Sequence, residues 1–230
     1  MVLIPTVTIL MTSTGRMPYM KQALDSVRKQ TRQDFELLVI NKGEFPLDLT
    51  IYPSNFTFIQ TGESDNIKKE VCILGYIFNQ AYKQGLIRGE YLCTFYDDDL
   101  YNPHFIEKMA GYLDSHPECN IVRCTQNRYE FINDKVVNSA VFKADKIILQ
   151  GEQVDCKVDG GQVMIRTSIL KYMPKPLMTE IVGDCAHSDG VFLENIMKNT
   201  NQMDFIDEAL YEHRTVPSSN SSKENENEKL

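Results

Sequence analysis

The feature that most constrains this chain is an apolar run that ends abruptly at three consecutive aspartates. The run spans residues 91–96, and Asp97, Asp98 and Asp99 follow it directly. Pro103 stands where the first turn of a helix accepts proline, so the stretch predicts a strand, an acidic loop and a helix. Ligands of open α/β sheets bind beyond the carboxyl ends of the strands, which predicts that these carboxylates point into a site and away from the core. Adjacent carboxylates repel, and a divalent cation bridging to phosphate oxygens is the usual compensation. An acidic surface turn is the alternative, since aspartate is common in turns.

The segments around this stretch alternate between strand and helix patterns. Apolar runs predict four strands, at residues 7–11, 35–40, 56–60 and 91–96. Apolar stripes at helical spacing predict three helices, beginning at Pro18, at about Lys68 and near Pro103. The alternation predicts an α/β fold over residues 1–120, with a Rossmann-like, mostly parallel sheet and helices on both faces.

Residues 121–217 change character and predict a smaller mixed region. A hairpin with an Asn133-Asp134 turn is expected in residues 130–137. A strand and a short helix follow Gly160-Gly161, a helix capped by Ser188 or Asp189 comes next, and one or two strands are expected in residues 203–213. Residues 138–158 show no clear pattern. Residues 218–230 are polar and are predicted to form a disordered tail.

Composition narrows the class of protein. A net charge of −8 without a basic cluster argues against a nucleic-acid partner. No apolar run approaches the ~20 residues that span a bilayer, and the first apolar run lacks the marks of a signal peptide, so a cytoplasmic location is expected. Six cysteines without CxxC spacing predict reduced, mostly buried thiols. The sequence contains neither the dinucleotide-binding motif GxGxxG nor the P-loop motif GxxxxGK[ST], which excludes these two classes of nucleotide-binding protein.

Four stretches of the sequence carry a family resemblance. They are PTVTILMTSTGRMPYMKQALDSVRKQTRQDFELLVIN, GEYLCTFYDDDLYNPHFIEKMAGYLDSHPE some fifty residues later, DGGQVMIRTSIL, and SDGVFLENI. In this order they resemble the family 2 glycosyltransferases of GT-A fold, and most closely the spore-coat polysaccharide glycosyltransferase type. The resemblance covers roughly residues 5–215. It implies an enzyme of polysaccharide biosynthesis that transfers a sugar from a UDP- or dTDP-sugar to an acceptor hydroxyl with inversion.

The same resemblance implies roles for the acidic motif. Asp98 matches the metal-binding aspartate at the end of a DxD-type motif, which would hold Mg²⁺ or Mn²⁺. Asp97 matches the contact to the ribose of the donor. Asp99 is either a second contact to the metal or donor, or the cap of the following helix.

Residues outside the acidic motif match the family's nucleotide contacts. Thr12 and Thr14 fall in the first loop, which cradles the base. Asn41 stands where the family usually has an aspartate that binds uracil or thymine. Because an amide both donates and accepts, the base preference stays open. The family's basic nucleotide contact has no clear match, and Lys68 and Lys69 are the candidates for it.

The acceptor side of the resemblance rests on two further aspartates. Asp159 matches the acceptor-side aspartate, with an ordinary turn residue as the alternative. Asp189 matches the catalytic base, which the chemistry requires because a sugar hydroxyl is a poor nucleophile until its proton is accepted. A helix N-cap is the alternative for Asp189, and Asp184 is the competing base.

Two other function classes stay open. A sugar nucleotidyltransferase shares the sheet and the metal aspartates, but it expects a glycine-rich loop after the first strand, and residues 11–16 contain one glycine. A degenerate protein that binds a nucleotide sugar without turnover is the other class. The sequence determines neither the donor sugar, nor the acceptor, nor the linkage.

Overall fold

The described part of the chain is built on one mixed β-sheet. In the computed structural model this part comprises residues 5–13, 15–42, 45, 47–61, 73–178, 180 and 188–216. Its strands are β1 (Val7–Ser13), β2 (Phe35–Lys42), β3 (Phe56–Thr61), β4 (Tyr91–Tyr96), β5 (Leu100–Tyr101), β6 (Ile121–Ile132), β7 (Lys135–Phe142), β8 (Ile148–Leu149), β9 (Val163–Arg166) and β10 (Gln202–Thr215). Its α-helices are α1 (Tyr19–Arg28), α2 (Ile73–Lys83), α3 (Phe105–Ser115) and α4 (Ser188–Met197). Short 3₁₀ helices cover Leu49–Ile51, Gly160–Gln162 and Thr167–Tyr172.

The strand order of the sheet explains why the sequence changes character midway. The order is β3-β2-β1-β4-β9-β6-β10-β5, with β7 paired to β6 and β8 paired to β10. Strands β3, β2, β1 and β4 are parallel, which confirms the predicted parallel first half. Strand β9 runs antiparallel to both β4 and β6, whereas β6 and β10 are parallel again. The second half of the sheet is therefore mixed, as predicted.

Helices cover both faces of the sheet, as the alternating pattern predicts. Because successive side chains of a strand point to opposite faces, Ile9 and Leu10 of β1 enter different cores. The core around Ile9 contains the apolar faces of α1 and α3. The core around Leu10 contains α2 and α4, where the rings of Phe78 and Phe192 lie 4.8 Å apart. Central strand β1 is thus covered on both sides, which is why its sequence is almost continuously apolar.

The predicted hairpin forms, with its turn at the expected residues. Asn133 and Asp134 have φ angles of 49° and 58°, as a two-residue turn with positive φ at both positions requires. The tip reaches the first turn of α1, where the Tyr19 hydroxyl donates to Asp134 Oδ1 at 2.9 Å. Of residues 138–158, which showed no clear sequence pattern, residues 138–142 complete β7. Further along, Arg123 Nη2 of β6 donates to the Lys146 carbonyl at 3.0 Å.

Several local expectations needed adjustment. Helix α3 begins at Phe105 with His104 as its N-cap, two residues after Pro103. An unpredicted short strand, β5, separates the aspartates from that helix, because residues 100–101 pair with β10. Residues 203–213 lie in one strand, and the short helix after β9 is 3₁₀.

Some expectations are met and others fall outside the described residues. Cys93, Cys119 and Cys124 are buried free thiols, whereas Cys156 is exposed. None of the helices within the described ranges is long and apolar enough to cross a bilayer. Residues 62–72 and the predicted tail, 218–230, lie outside the described part, and the division at residue 120 stays a prediction.

Candidate functional site

The candidate site lies where the strand order reverses. From β1 the chain proceeds outward to β2 and β3 and then returns to place β4 on the other side of β1. The carboxyl ends of β1 and β4 therefore border the crevice that binds ligands in open α/β sheets. Ser13 ends β1, and Asp97 follows β4. The acidic stretch stands at this edge, as the sequence predicted.

The three aspartates are shielded from solvent. Asp97 and Asp99 are fully buried and Asp98 is 6% exposed. A buried charge is costly unless it is paired and hydrogen-bonded. Each of the three carboxylates has such partners, which arrive from distant parts of the chain.

Asp97 and Asp98 share one cation. Asp97 Oδ2 accepts from the Ser13 hydroxyl at 2.9 Å, and Asp97 Oδ1 accepts from Arg16 Nε at 2.8 Å and from Arg16 Nη2. Arg16 Nη1 lies 2.8 Å from Asp98 Oδ2. Burial acts to lower the pKa of Arg16, but the carboxylates of Asp98 and Asp97 raise it above its ordinary value. The acidic stretch is thus compensated by a residue of the loop after β1.

Asp98 has the properties of a cation ligand. Burial, and then the neighbouring Asp99 carboxylate, raise the pKa of Asp98 to about 7, although Arg16 opposes the rise. Carboxylate oxygen is a preferred ligand for Mg²⁺ and Mn²⁺. The Asp98 carboxylate already pairs with one positive charge, the Arg16 guanidinium. The residue therefore fits a divalent ion. Within the described ranges, no group of three or more His, Cys, Asp or Glu side chains is arranged to enclose a metal by itself.

Asp99 faces β10 and not the helix that follows it. Its Oδ2 accepts from the Tyr211 hydroxyl, and its Oδ1 accepts from the backbone N–H of Arg214 at 2.8 Å. His213 Nδ1 lies 3.5 Å from Asp99 Oδ1 and 3.3 Å from Asp159 Oδ2. The alternative that Asp99 caps α3 is wrong, because β10 takes both of its oxygens.

The charges in this cluster reinforce one another. Burial acts to lower the pKa of His213, but Asp99 and then Asp159 raise it to about 9, so the side chain is a cationic imidazolium at neutral pH. Burial likewise acts to raise the pKa of Asp99, but His213 leads the interactions that hold it below the ordinary value. Arg214 adds its Nε, which donates to the carbonyl of Asp98. Strand β10 therefore supplies two cationic side chains to the acidic stretch.

Asp159 and Asp189 meet at a glycine turn. Asp159 caps the short 3₁₀ helix Gly160–Gln162, with its Oδ1 accepting from Gly161 N at 2.8 Å, so the turn reading of Asp159 is correct as far as local structure goes. Asp189 Oδ2 accepts from Gly160 N at 3.0 Å, and its Oδ1 accepts from Gly190 N at 2.9 Å. Burial, and then the Asp159 carboxylate, raise the pKa of Asp189 to about 6.

The turn requires glycine because other groups approach it closely. A Cβ on Gly160 would lie 2.7 Å from the Tyr96 hydroxyl oxygen and 3.0 Å from Asp189 Cβ. A Cβ on Gly161 would lie 2.3 Å from the Tyr211 hydroxyl oxygen. The missing side chains therefore let the turn fit between β4, β10 and α4, and so bring Asp159 and Asp189 to the edge of the sheet.

The remaining predicted residues divide into two groups. Thr12 lies opposite Ile40 and Tyr96 in the sheet, and the buried Asn41 lies opposite Ser13, so both stand at the same carboxyl edge. Asp189 is the second residue of α4 and lies in its first turn. Four residues named from the sequence fall outside the described part of the chain. They are the predicted contacts Thr14 and Lys68, the alternative contact Lys69, and the competing base Asp184.

Sequence reasoning missed five members of the site, which have hydroxyl, basic or aromatic side chains: Ser13, Arg16, Tyr211, His213 and Arg214. Arg16 could have been found from the sequence, because it is a basic residue in the loop directly after β1. No local signal marked the residues of β10, because only the pairing of β10 with β6 and β5 brings them to the aspartates.

Comparison with known proteins bears on the fold. No family model matches the chain. An uncharacterized glycosyltransferase of Haemophilus influenzae is 26% identical over 116 residues, which cover 48% of this chain and 33% of the relative. The structure of S. aureus TarS 1-349 in complex with UDP is similar with a TM-score of 0.67 at 18% identity, covering 92% of this chain and 61% of that one.

A third similarity is with another solved structure. The mannosyltransferase PcManGT from Pyrobaculum calidifontis, in complex with GDP-Man and Mn²⁺, matches with a TM-score of 0.59 at 11% identity, covering 91% of this chain and 56% of that one. The chain thus spans about a third of the length of the curated relative and less than two thirds of these solved structures. With its sheet order and these similarities, the chain has a glycosyltransferase fold of the GT-A type.

Proposed function

We propose that the chain is the catalytic unit of a glycosyltransferase that moves a sugar from a UDP- or dTDP-sugar to an acceptor hydroxyl with inversion. The observation that carries the proposal is the convergence of carboxylates at one edge of the sheet. Asp98 follows β4, Asp159 begins the glycine turn, and Asp189 lies in the first turn of α4. One carboxylate for a cation and another for a proton are the minimum that a single displacement requires.

The donor half of the site is assigned to the ends of β1, β2 and β4. The base would lie against Thr12 and Asn41, the ribose against Asp97, and the diphosphate near Asp98. A Mg²⁺ or Mn²⁺ ion held by Asp98, with Asp99 behind it, would neutralise charge on the leaving diphosphate. Similar folds that bind UDP, or GDP-Man with Mn²⁺, support this assignment. Thr14 and Lys68 stay proposed contacts on the sequence resemblance alone.

The acceptor half is assigned to Asp189 and Asp159. Asp189 would accept the proton of the acceptor hydroxyl as the hydroxyl attacks the anomeric carbon from the face opposite the nucleotide. A pKa of about 6 leaves Asp189 ionised at neutral pH and a better base than an ordinary aspartate. The hydrogen bonds that its two carboxylate oxygens accept from the backbone N–H groups of Gly160 and Gly190 fix the orientation of the carboxylate. Asp159 would contact the acceptor and maintain the charge environment of Asp189.

A nucleotide-sugar binder without turnover is the second candidate. The specific observation in its favour is that both carboxylate oxygens of Asp189 already accept backbone hydrogen bonds, which is a sufficient structural role for this residue. Both candidates require donor binding, and they differ in whether the bound donor is consumed.

Ligand-dependent melting tests the donor half of the proposal. A panel of UDP, UDP-sugars, dTDP-sugars and GDP-mannose is measured with and without Mn²⁺. A ligand at 100 times its Kd stabilises the folded state by ~2.7 kcal/mol, a clearly measurable rise in Tm. We expect a uridine or thymidine diphosphate to raise Tm only with Mn²⁺. Absence of any nucleotide effect would contradict the proposal, and release of free UDP from a stabilising UDP-sugar would separate the enzyme from the binder.

A further inference from the structure

Arg16 is placed unusually for a surface-loop arginine. Its guanidinium uses three nitrogens on two aspartates, with Nε and Nη2 donating to Asp97 Oδ1 and Nη1 lying 2.8 Å from Asp98 Oδ2. Its side chain is 21% exposed, whereas the two carboxylates are almost fully buried. The guanidinium therefore covers the carboxylates from the solvent side.

Arg16 pairs with Asp97 and Asp98 and leaves Asp99 to other groups. Asp99 has a separate set of partners, which are Tyr211, His213 and the backbone N–H of Arg214. Arg214 reaches Asp98 at its carbonyl oxygen and not at its carboxylate. Arg16 forms an ion pair with Asp97 and another with Asp98. Arg16 is thus a counterion that these two aspartates share.

We propose that Arg16 is an internal counterion that occupies the place of the divalent cation and moves from Asp98 to the donor diphosphate when cation and donor bind. This inference rests on the metal-dependent donor binding proposed above. A guanidinium and a divalent cation on the same carboxylate repel each other, so the arrival of one favours the departure of the other. A diphosphate provides the released guanidinium with new oxygen acceptors, which suit its planar array of donors.

The exchange makes cation and nucleotide binding interdependent. A cation alone must displace Arg16 into water, which weakens its binding. A cation together with a nucleoside diphosphate displaces Arg16 onto phosphate oxygens, so each ligand strengthens the binding of the other by the same factor. Removal of the Arg16 charge should therefore help the cation when it binds alone and reduce the coupling to the nucleotide.

Mn²⁺ binding without nucleotide tests the inference directly. The fraction of free Mn²⁺ is measured by electron paramagnetic resonance for the full chain and for Arg16→Gln, which keeps a polar side chain and removes the charge. We expect Arg16→Gln to bind Mn²⁺ at least ~10-fold more tightly than the wild type, and UDP to strengthen Mn²⁺ binding less in the variant. The matched control is Arg28→Gln, because Arg28 is an exposed arginine of α1 paired with Asp25, and it should leave Mn²⁺ affinity unchanged.

Several outcomes would overturn the inference. Unchanged or weaker Mn²⁺ binding by Arg16→Gln is one. A gain that persists in the double variant Arg16→Gln, Asp98→Ala is another, because the ion would then bind elsewhere. If Arg16→Gln does not fold, Arg16→Lys replaces it and should bind Mn²⁺ more tightly than the wild type, since a point charge cannot span both aspartates. Failure of wild-type UDP binding in Mn²⁺ would contradict the proposed function and the movement of Arg16 onto the diphosphate, and the comparison with Mn²⁺ alone would still decide whether Arg16 competes with the cation for Asp98.

Discussion

The Tyr211 hydroxyl joins two carboxylates that come from different parts of the fold. It donates to Asp99 Oδ2, and its oxygen lies 3.1 Å from Asp159 Oδ1. Tyr211 is fully buried, and its ring fills the space left by the missing side chain of Gly161. This contact connects the acidic stretch after β4 with the glycine turn before β9, and so connects the proposed cation side with the proposed acceptor side.

Removal of this hydroxyl should destabilise the protein. Tyr211→Phe keeps the ring but leaves the buried Asp99 carboxylate without one donor, which should lower the free energy of unfolding by ~1–3 kcal/mol. Urea unfolding at neutral pH measures the change. Tyr172→Phe is the control, because Tyr172 is 67% exposed and its hydroxyl is available to water. Equal stability of the two variants would show that the Tyr211 contact contributes nothing.

A methyl group at the glycine turn should disturb the same contact. Gly161→Ala places a Cβ 2.3 Å from the Tyr211 hydroxyl oxygen, so Tyr211 or the turn must move, at a cost of ~1–3 kcal/mol. The comparison is Gly111→Ala in α3, where the added Cβ meets nothing within 4 Å. That change should stabilise the protein by ~0.5–1 kcal/mol, since alanine is the better helix former. Urea unfolding of both variants should give shifts of opposite sign, and shifts of the same sign would contradict the packing described here.

Asp98→Ala should abolish metal-dependent nucleotide binding. The change removes the proposed cation ligand, while Asp97 remains paired with Arg16 and Ser13, so the fold should persist. Titration calorimetry of UDP in Mn²⁺, with circular dichroism as the check on folding, gives the answer. Wild-type UDP affinity in a folded Asp98→Ala protein would remove the metal from the proposed mechanism.

Asp189→Asn separates an enzyme from a binder. Loss of the proton acceptor should lower turnover by at least ~10²-fold, while UDP affinity in Mn²⁺ stays nearly unchanged. Asp184→Asn is the control and should have a mild effect. If Asp184→Asn is inactive and Asp189→Asn turns over normally, the base has been assigned to the wrong aspartate, and the role of Asp189 is to hold Gly160 and Gly190.

The pH dependence of turnover should follow the ionisation of Asp189. Its pKa is raised from 3.8 to about 6, so the carboxylate that accepts the proton is lost as the pH falls through about 6. Turnover at saturating donor and acceptor should therefore be level at neutral pH and fall about tenfold per unit of pH on the acid side. A profile that stays level down to pH 4.5 would mean that the base has an ordinary pKa and is a different residue.

The sequence by itself determined the elements of the first half and the position of the acidic stretch. Strands β1 to β4 and the helices between them carry periodic apolar patterns over consecutive residues, and such patterns follow from which faces must be buried. The Asn133-Asp134 turn was equally visible, because its positive φ angles favour those residue types. Asp97, Asp98 and Asp99 were placed at the edge of the sheet because they directly follow a strand.

The tertiary structure decided what surrounds those aspartates. Arg16 is 81 residues from Asp97, and Tyr211 is 112 residues from Asp99. Nothing local to either segment specifies such contacts, which depend on the order of strands in the sheet and on the pairing of β10 with β6 and β5. The tertiary structure also decided the burial of these carboxylates. They lie beneath arginine, histidine and tyrosine side chains that come from distant segments. A buried charge is tolerated only where such partners are supplied.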